Sequence, residues 1–259
     1  MILVYEPNCW YRRLLADILV YRCGFAAEKK HKIQREDGDI EHIKEVEPLA
    51  NALHNIDTVV DSIAGKFDSL EFYLSGTGNW RLEEATVKPY KGNRSPFNKP
   101  VYYKEIREYI VRKYGAVLVD GMEADDAIGI RATTNPGEPV CIVSIDKDLD
   151  MIPGEHYNWV KDKRYTLNGT EATRNFYKQV LTGDSVDNIP GIYGLGPRNA
   201  ERIIGQYSNE RAMWQACRNE WYKHYPDGYE GKSALAVCLE VAKLLWIAQR
   251  GRERFEEPK

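Results

Sequence analysis

Apolar positions along the chain follow two different periods. DILVYRCGFAAEKK (17 to 30) carries Ile18, Leu19, Cys23 and Ala26 on one side, which predicts a helix. LANALHNIDTVVDSIAGKF (49 to 67) repeats Leu49, Leu53, Ile56, Val60 and Ile63 at helical spacing, with Gly65 near its end. YKEIREYIVRKYG (103 to 115) predicts a helix stopped by Gly115. Three shorter runs break this rhythm. LEFYLSG (70 to 76) reads as a strand, and AVLVDG (116 to 121) and VCIVSID (140 to 146) are β-branched and almost continuously apolar. With helical segments between and after them, the last two predict an α/β architecture, a mostly parallel sheet covered by helices on both faces. Further on, Gly191, Gly194 and Gly196 precede Pro197 at a first helical position, and Gly205 closes that helix. Beyond Ser208, Leu235, Leu239, Ala242, Leu245 and Trp246 predict a packing helix that Trp214, Trp221, Tyr222 and Tyr225 help to dock.

Composition sets the class. The chain has 259 residues, 43% hydrophobic and 29% charged, a globular balance. The opening MILVYEP is short and meets an acid and a proline, and no uncharged stretch reaches membrane-spanning length, so the expected location is the cytoplasm, a host's if the chain is phage-encoded. Cys9, Cys23, Cys141, Cys217 and Cys238 are scattered without a CxxC pair, which predicts reduced, packed thiols. A net charge of −3 argues against a nucleic-acid partner. Local charge argues for one. Thr86 to Lys104 holds Lys88, Lys91, Arg94, Lys99 and Lys104 and no acid, interleaved with Tyr90, Phe97, Tyr102 and Tyr103. This suits a mobile gateway where phosphates meet cations and bases meet rings.

Carboxylates gather in three places: Glu123, Asp125 and Asp126; Asp146 and Asp148; Asp184 and Asp187. Helix capping, at roughly 0.3–1 kcal/mol each, accounts for one or two of them. The first two clusters follow predicted strands, where open α/β sheets place their sites. A carboxylate pair at 4 Å repels by about 4 kcal/mol at an effective dielectric of 20. Several such pairs would rival a domain's stability of roughly 5–15 kcal/mol, so a converged set needs a cation. None of the clusters contains histidine or cysteine. An all-oxygen set suits magnesium, with manganese able to substitute, and disfavours zinc. Two ions fit a phosphoryl displacement. The glycine-rich loop entering a helix offers N–H groups to a phosphate, with Arg198 adding charge, although a plain helix-turn-helix also accounts for it.

Glu-Ala-Asp-Asp (123 to 126), Ser-Ile-Asp-Lys-Asp (144 to 148) and Gly-Asp-Ser-Val-Asp-Asn-Ile-Pro-Gly (183 to 191), continuing to Gly-Leu-Gly-Pro, resemble in order and spacing the flap endonuclease/5′ nuclease family, most of all bacteriophage 5′→3′ exonucleases. The resemblance runs from about Asp17 to Gly205. It implies a PIN-like 5′ nuclease core over 1–180 with a basic arch at 86–104. Residues 181–259 would form a helix-three-turn-helix and C-terminal helices on that core. It implies a monomer that hydrolyses DNA with magnesium, and a potassium ion at the helix-three-turn-helix.

Carried onto this chain, Glu123 and Asp125 would serve one metal and Asp146 and Asp148 a second, completed by Asp184, with Asp126 and Asp187 as acidic support. Tyr-Lys-Gly-Asn-Arg (90 to 94) matches the arch, making Lys91 and Arg94 the cations for the scissile phosphate, and Tyr21-Arg22 matches a pair on the family's first helix, adding Arg22. DNA contacts fall on Lys88, Tyr90, Lys91, Arg94, Gly191, Gly194, Gly196 and Arg198. Two positions depart from the pattern. Leu15 stands where the first strand should end in an aspartate, leaving Asp17 or Glu6 as stand-ins, and Ser75 and Gly76 stand where the second strand should supply another. Alternatives are a DNA-binding pseudonuclease without a working first site, and an RNA-directed nuclease of related fold.

Overall fold

The computed structural model describes residues 11–34, 40–67, 69–95, 99–135 and 140–259. Glu6, Cys9 and Phe97 lie outside them, and with them one candidate ligand and one gateway aromatic. The strands are β1 (Tyr11–Leu15), β2 (Glu28–Gln34), β3 (Ile40–Val46), β4 (Ser69–Ser75), β5 (Val117–Val119), β6 (Val140–Val143), β7 (Gly154–Asn158) and β8 (Lys163–Leu167). Six of them form one sheet in the order β5-β4-β1-β6-β7-β8, while β2 and β3 pair apart as a hairpin. All neighbours in the large sheet run parallel except β7 and β8.

Period-2 alternation splits the core in two. Cys141 and Val143 face one layer, with Leu19, Ile56, Ile63, Leu74, Ile106 and Ile110. Ile142 and Tyr73 face the other, with Ile128, Leu149, Phe176 and Trp221. Burying side chains of this size contributes about 1.5–3 kcal/mol each.

The first layer is covered by α1 (Asp17–Ala26), α2 (Leu49–Ala64) and, after the short α3 (Arg81–Glu84), α4 (Tyr103–Tyr114). α1 stops at Ala26, earlier than its apolar pattern suggests, because Glu28 onward pairs with β3. Its buried stripe runs through Leu19, Val20 and Cys23. Ile18 is only partly buried and Ala26 is exposed. α4 ends at Gly115, whose φ of 66° is the left-handed value that glycine accepts without strain. β5 differs from expectation: as the edge strand it leaves Val117 and Leu118 each 50% exposed, so this apolar run is covered on one side only.

The second layer contains α5 (Ala124–Thr134), α6 (Gly169–Thr182), α7 (Pro197–Ile204), α8 (Glu210–His224) and α9 (Ala234–Leu245). The C-terminal part therefore supplies two helices after α7 rather than one. Trp221 is fully buried and donates its indole N–H to the Val180 carbonyl at 3.1 Å, and Trp214 is buried beside Tyr177. Tyr222 points to solvent, and Leu235 is partly exposed. Cys23, Cys141, Cys217 and Cys238 are buried. Among the described residues no helix is long and apolar enough to cross a membrane.

Candidate active site

Because β1, β4, β5 and β6 are parallel, the segments leaving their carboxyl ends emerge on one side of the sheet. There Asp17, Glu123, Asp125, Asp146 and Asp148 line a cavity of about 940 Å³ together with Asp184 and Asp187 from the loop after α6. Glu123 is the N-cap of α5, in a capping box in which Asp126 reaches back to the Glu123 N–H. Asp146 caps the 3-10 turn at 147–151 by accepting from the Asp148 N–H at 3.0 Å, and Gln179 holds Asp148 at 2.9 Å. The loop after α6 is closed by reciprocal backbone bonds between Asp184 and Ile189, at 2.9 and 2.7 Å. Asp17, at the start of α1, accepts from the Ser75 N–H and from Arg107, each at 2.8 Å.

This crowding disfavours ionisation. Burial, then the Glu123 and Asp146 charges, hold the Asp125 carboxyl well above its usual range. Burial likewise raises Asp146, with Asp187 and Asp184 adding to it. Burial with Asp146 and Asp184 brings Asp148 to about 7. The protein's own cations relieve part of this. Lys91 pairs with Glu123 and stands 3.5 Å from Asp187, and Arg94 pairs with Asp187. The Tyr90 hydroxyl lies 2.9 Å from Glu123 and 2.8 Å from Asp187.

Several expected site residues stand elsewhere or act differently. Asp126 is fully buried below the cavity in a two-pronged pair with Arg81, at 2.6 and 2.9 Å, and also accepts from the Ala248 N–H. It braces α5 and is absent from the cavity lining. Tyr90 is 5% exposed, so its ring packs in the core and is closed to a stacking base. The first half of the basic segment is docked: Lys91 N–H bonds the Asp187 carbonyl at 2.8 Å, Asn93 the Ser185 carbonyl at 2.7 Å, and Asn188 the Pro89 carbonyl at 2.8 Å. Thr86 and Val87 N–H donate to Glu240 at 2.7 and 2.6 Å. The gateway segment thus makes hydrogen bonds to the rest of the chain from residue 86 to residue 94. Lys88 sits over the Tyr229 ring at 5.6 Å. Arg22 lines the cavity and faces the Trp159 ring at 5.4 Å.

Gly191 and Gly196 have different reasons for being glycine. A Cβ on Gly191 would lie 2.0 Å from the Thr182 carbonyl oxygen, so that glycine lets two backbone segments touch. Gly196 is the N-cap of α7 and borders the cavity. Gly194 has φ 76°, and Arg198 is exposed in the first turn of α7. Gly76 settles one departure physically, since a side chain there would meet Asp120 at 2.3 Å and the Val119 carbonyl at 2.8 Å. No carboxylate fits at that position. Leu15, buried, closes the end of β1.

Sequence reasoning missed Arg81 and Arg107. Arg107 shares the helical stripe of Tyr103 and Ile110, and a cation on that inward stripe was its signal.

Among the described residues, no three potential ligands already close on a single point as a preformed metal shell. The donors nonetheless fit a hard divalent cation: all lining acids are oxygen ligands, and three are destabilised as anions by burial.

The fold is the α/β nuclease fold of the T5 5′-exonuclease, and the chain's sequence is similar to that of 5′ nucleases. It superposes on the T5 D15 protein, crystallised with metal ions, with a TM-score of 0.64 at 16% identity, covering 91% of this chain and 88% of that one. In sequence it is 36% identical over 135 residues to DNA polymerase I of Rhizobium leguminosarum, 46% of this chain but 13% of that protein. It is 28% identical over 175 residues to a 5′-3′ exonuclease of Buchnera aphidicola, 61% of each chain. The matched region thus spans less than two thirds of both relatives. No protein-family model matches the chain.

Proposed function

We propose that this chain is a divalent-metal-dependent 5′ nuclease that hydrolyses DNA phosphodiesters from the 5′ side as a monomer. One observation carries the reading: seven carboxylates and the cations Arg22, Lys91 and Arg94 line one cavity beside the N-terminus of α7. Magnesium, or manganese, would supply the charge that activates water and stabilises the leaving oxygen. Glu123 and Asp125 are the proposed ligands on one side of the cavity, with Asp146, Asp148 and Asp184 on the other. Lys91 and Arg94 meet the scissile phosphate, where negative charge builds in the transition state. Gly194, Gly196 and Arg198 offer backbone N–H groups and a guanidinium to a duplex phosphate, the role of a helix-three-turn-helix. A potassium ion belongs to the same reading. The relatives' names and the shared fold support it.

A second reading has its own support. Leu15 and Gly76 contribute no carboxylate, and the nearby Asp17 is tied to Ser75 and Arg107. A DNA-binding pseudonuclease would have these features.

Labelled DNA and RNA substrates with 5′ arms separate the readings. Cleavage of DNA that chelator abolishes and magnesium or manganese restores supports the nuclease. Tight binding with no cleavage in either ion supports the pseudonuclease, and preferred cleavage of RNA redirects the substrate class.

A further inference from the structure

We infer that the groove between α4 and the outer edge of β5 receives the single-stranded 5′ arm of the nucleic acid, a placement that rests on the 5′ nuclease reading. This second cavity, of about 460 Å³, is lined by Tyr103, Lys104, Arg107, Val111, Arg112 and Leu118. Three observations favour a nucleic-acid strand as its occupant.

The first is continuity. Tyr103 borders this groove and the carboxylate cavity alike, and Arg107 on the groove wall pairs with Asp17 of the cavity at 2.8 Å, so a strand leaving the acidic site passes along them into the groove. The second is charge. Lys104, Arg107 and Arg112 line it against two acids, Glu108, whose carboxylate lies 3.9 Å from Lys104, and Asp17, 2.8 Å from Arg107. Phosphates find an excess of cations there, while Val111 and the half-exposed Leu118 give an apolar floor. The third is the aromatic threshold between the two cavities. Tyr103 stands 5.6 Å from Tyr21, with Lys99 over its ring at 4.5 Å and Arg107 at 5.4 Å. Rings flanked by cations are what sequence-tolerant single-strand sites use, bases stacking and phosphates pairing.

An edge strand can also accept a peptide by β-addition. β5 offers only three residues for such pairing, and among the described residues no strand pairs with its outer edge. Its short length and the basic rim favour the nucleic acid.

Binding in excess chelator separates the arm from the chemistry. Fluorescence anisotropy would compare a nicked duplex without an arm with duplexes carrying progressively longer 5′ arms, for the wild-type chain, Leu118→Glu and Arg112→Glu. Both substitutions fall on exposed positions away from the carboxylates, and thermal unfolding checks that each variant folds. The expected result is that wild-type affinity rises with arm length, and that each variant loses that gain, on the order of tenfold for a lost stacking or phosphate contact, while binding the armless duplex normally. The assignment is overturned if the variants keep the full gain, as a peptide groove would, or if armed and armless affinities fall together. Failure of the wild-type chain to bind even the armless duplex would instead overturn the nuclease reading beneath it.

Discussion

Arg81→Ala tests what holds the candidate site in place. The guanidinium is 2% exposed and spends its donors inward: Nε on the Leu244 carbonyl at 2.8 Å, Nη1 on Asp126 at 2.6 Å, and Nη2 on Asp126 at 2.9 Å and the Trp246 carbonyl at 2.7 Å. It thereby joins α3, the N-terminus of α5 that carries Glu123 and Asp125, and the chain leaving α9. Removing it strands a fully buried carboxylate. Breaking a buried pair from one side costs about 3–5 kcal/mol. With roughly 2–4 °C per kcal/mol for a chain of this size, the melting temperature should drop by about 6–20 °C. Urea unfolding should show a lower midpoint at unchanged slope.

The pH dependence has a definite sign. Burial alone would raise the Asp126 carboxyl, but Arg81 and the Ala248 N–H outweigh it and hold it below the usual range. The pair's stabilisation is therefore present above the unfolded value, about 3.9, and is lost as pH falls through the folded one. Without Arg81 the buried carboxyl shifts upward instead, so the variant's deficit should be largest near neutrality and shrink on acidification. A loss below about 1 kcal/mol, or a deficit that grows as pH falls, would refute this account of the pair.

Further outcomes follow from other contacts. Glu240→Gln removes the anion that holds Thr86 and Val87 N–H and Lys232, so trypsin should cut after Lys91 faster in an otherwise folded protein; wild-type resistance would show that Glu240 is not the anchor. Asp146→Asn should lower the single-turnover cleavage rate by orders of magnitude with DNA affinity nearly unchanged, measured by quench-flow and anisotropy, because a ligand carboxylate acts mainly in the transition state. Lys91→Ala should have opposite effects in two assays: manganese binding followed by electron paramagnetic resonance should tighten several-fold, while cleavage slows by about tenfold or more. Arg198→Ala should weaken duplex binding and reduce its salt slope by about one phosphate, whereas an unchanged slope would remove α7 from the interface.

The sequence was informative where short-range periodicity and motif spacing decide the structure, and silent where distant segments meet. Helix α2, the stop at Gly115, and the entry to α7 through Pro197 all follow from local signals. So does the meeting of Glu123, Asp125, Asp146 and Asp148, because parallel strands deliver their ends to one side. Asp126 differs from its neighbour for a physical reason: adjacent residues on a helix point about 100° apart, so Asp125 faces the cavity while Asp126 faces Arg81. Nothing local marks Arg81 as its partner, 45 residues away. The hairpin of β2 and β3 was hidden because the charged Glu28, Lys29 and Lys30 also suit the solvated end of a helix. The anchoring of the basic segment depends on Glu240, in a C-terminal helix that carries no motif.

The pairing of Lys91 and Arg94 with Glu123 and Asp187 also has a thermodynamic consequence. On the proposed reading, the same two side chains serve as counter-ions to the carboxylates in the protein alone and to the phosphate in the complex. They cannot fully serve both. An arriving phosphate draws them away and leaves Glu123 and Asp187 short of positive charge, so a divalent cation binds more tightly once substrate is present. Linkage makes the effect reciprocal: the bound cation strengthens phosphate binding by the same factor. Heterotropic cooperativity of this kind needs no domain movement, only an exchange of partners among side chains already in contact. It would make the chain a weak collector of metal on its own and a strong one on its substrate.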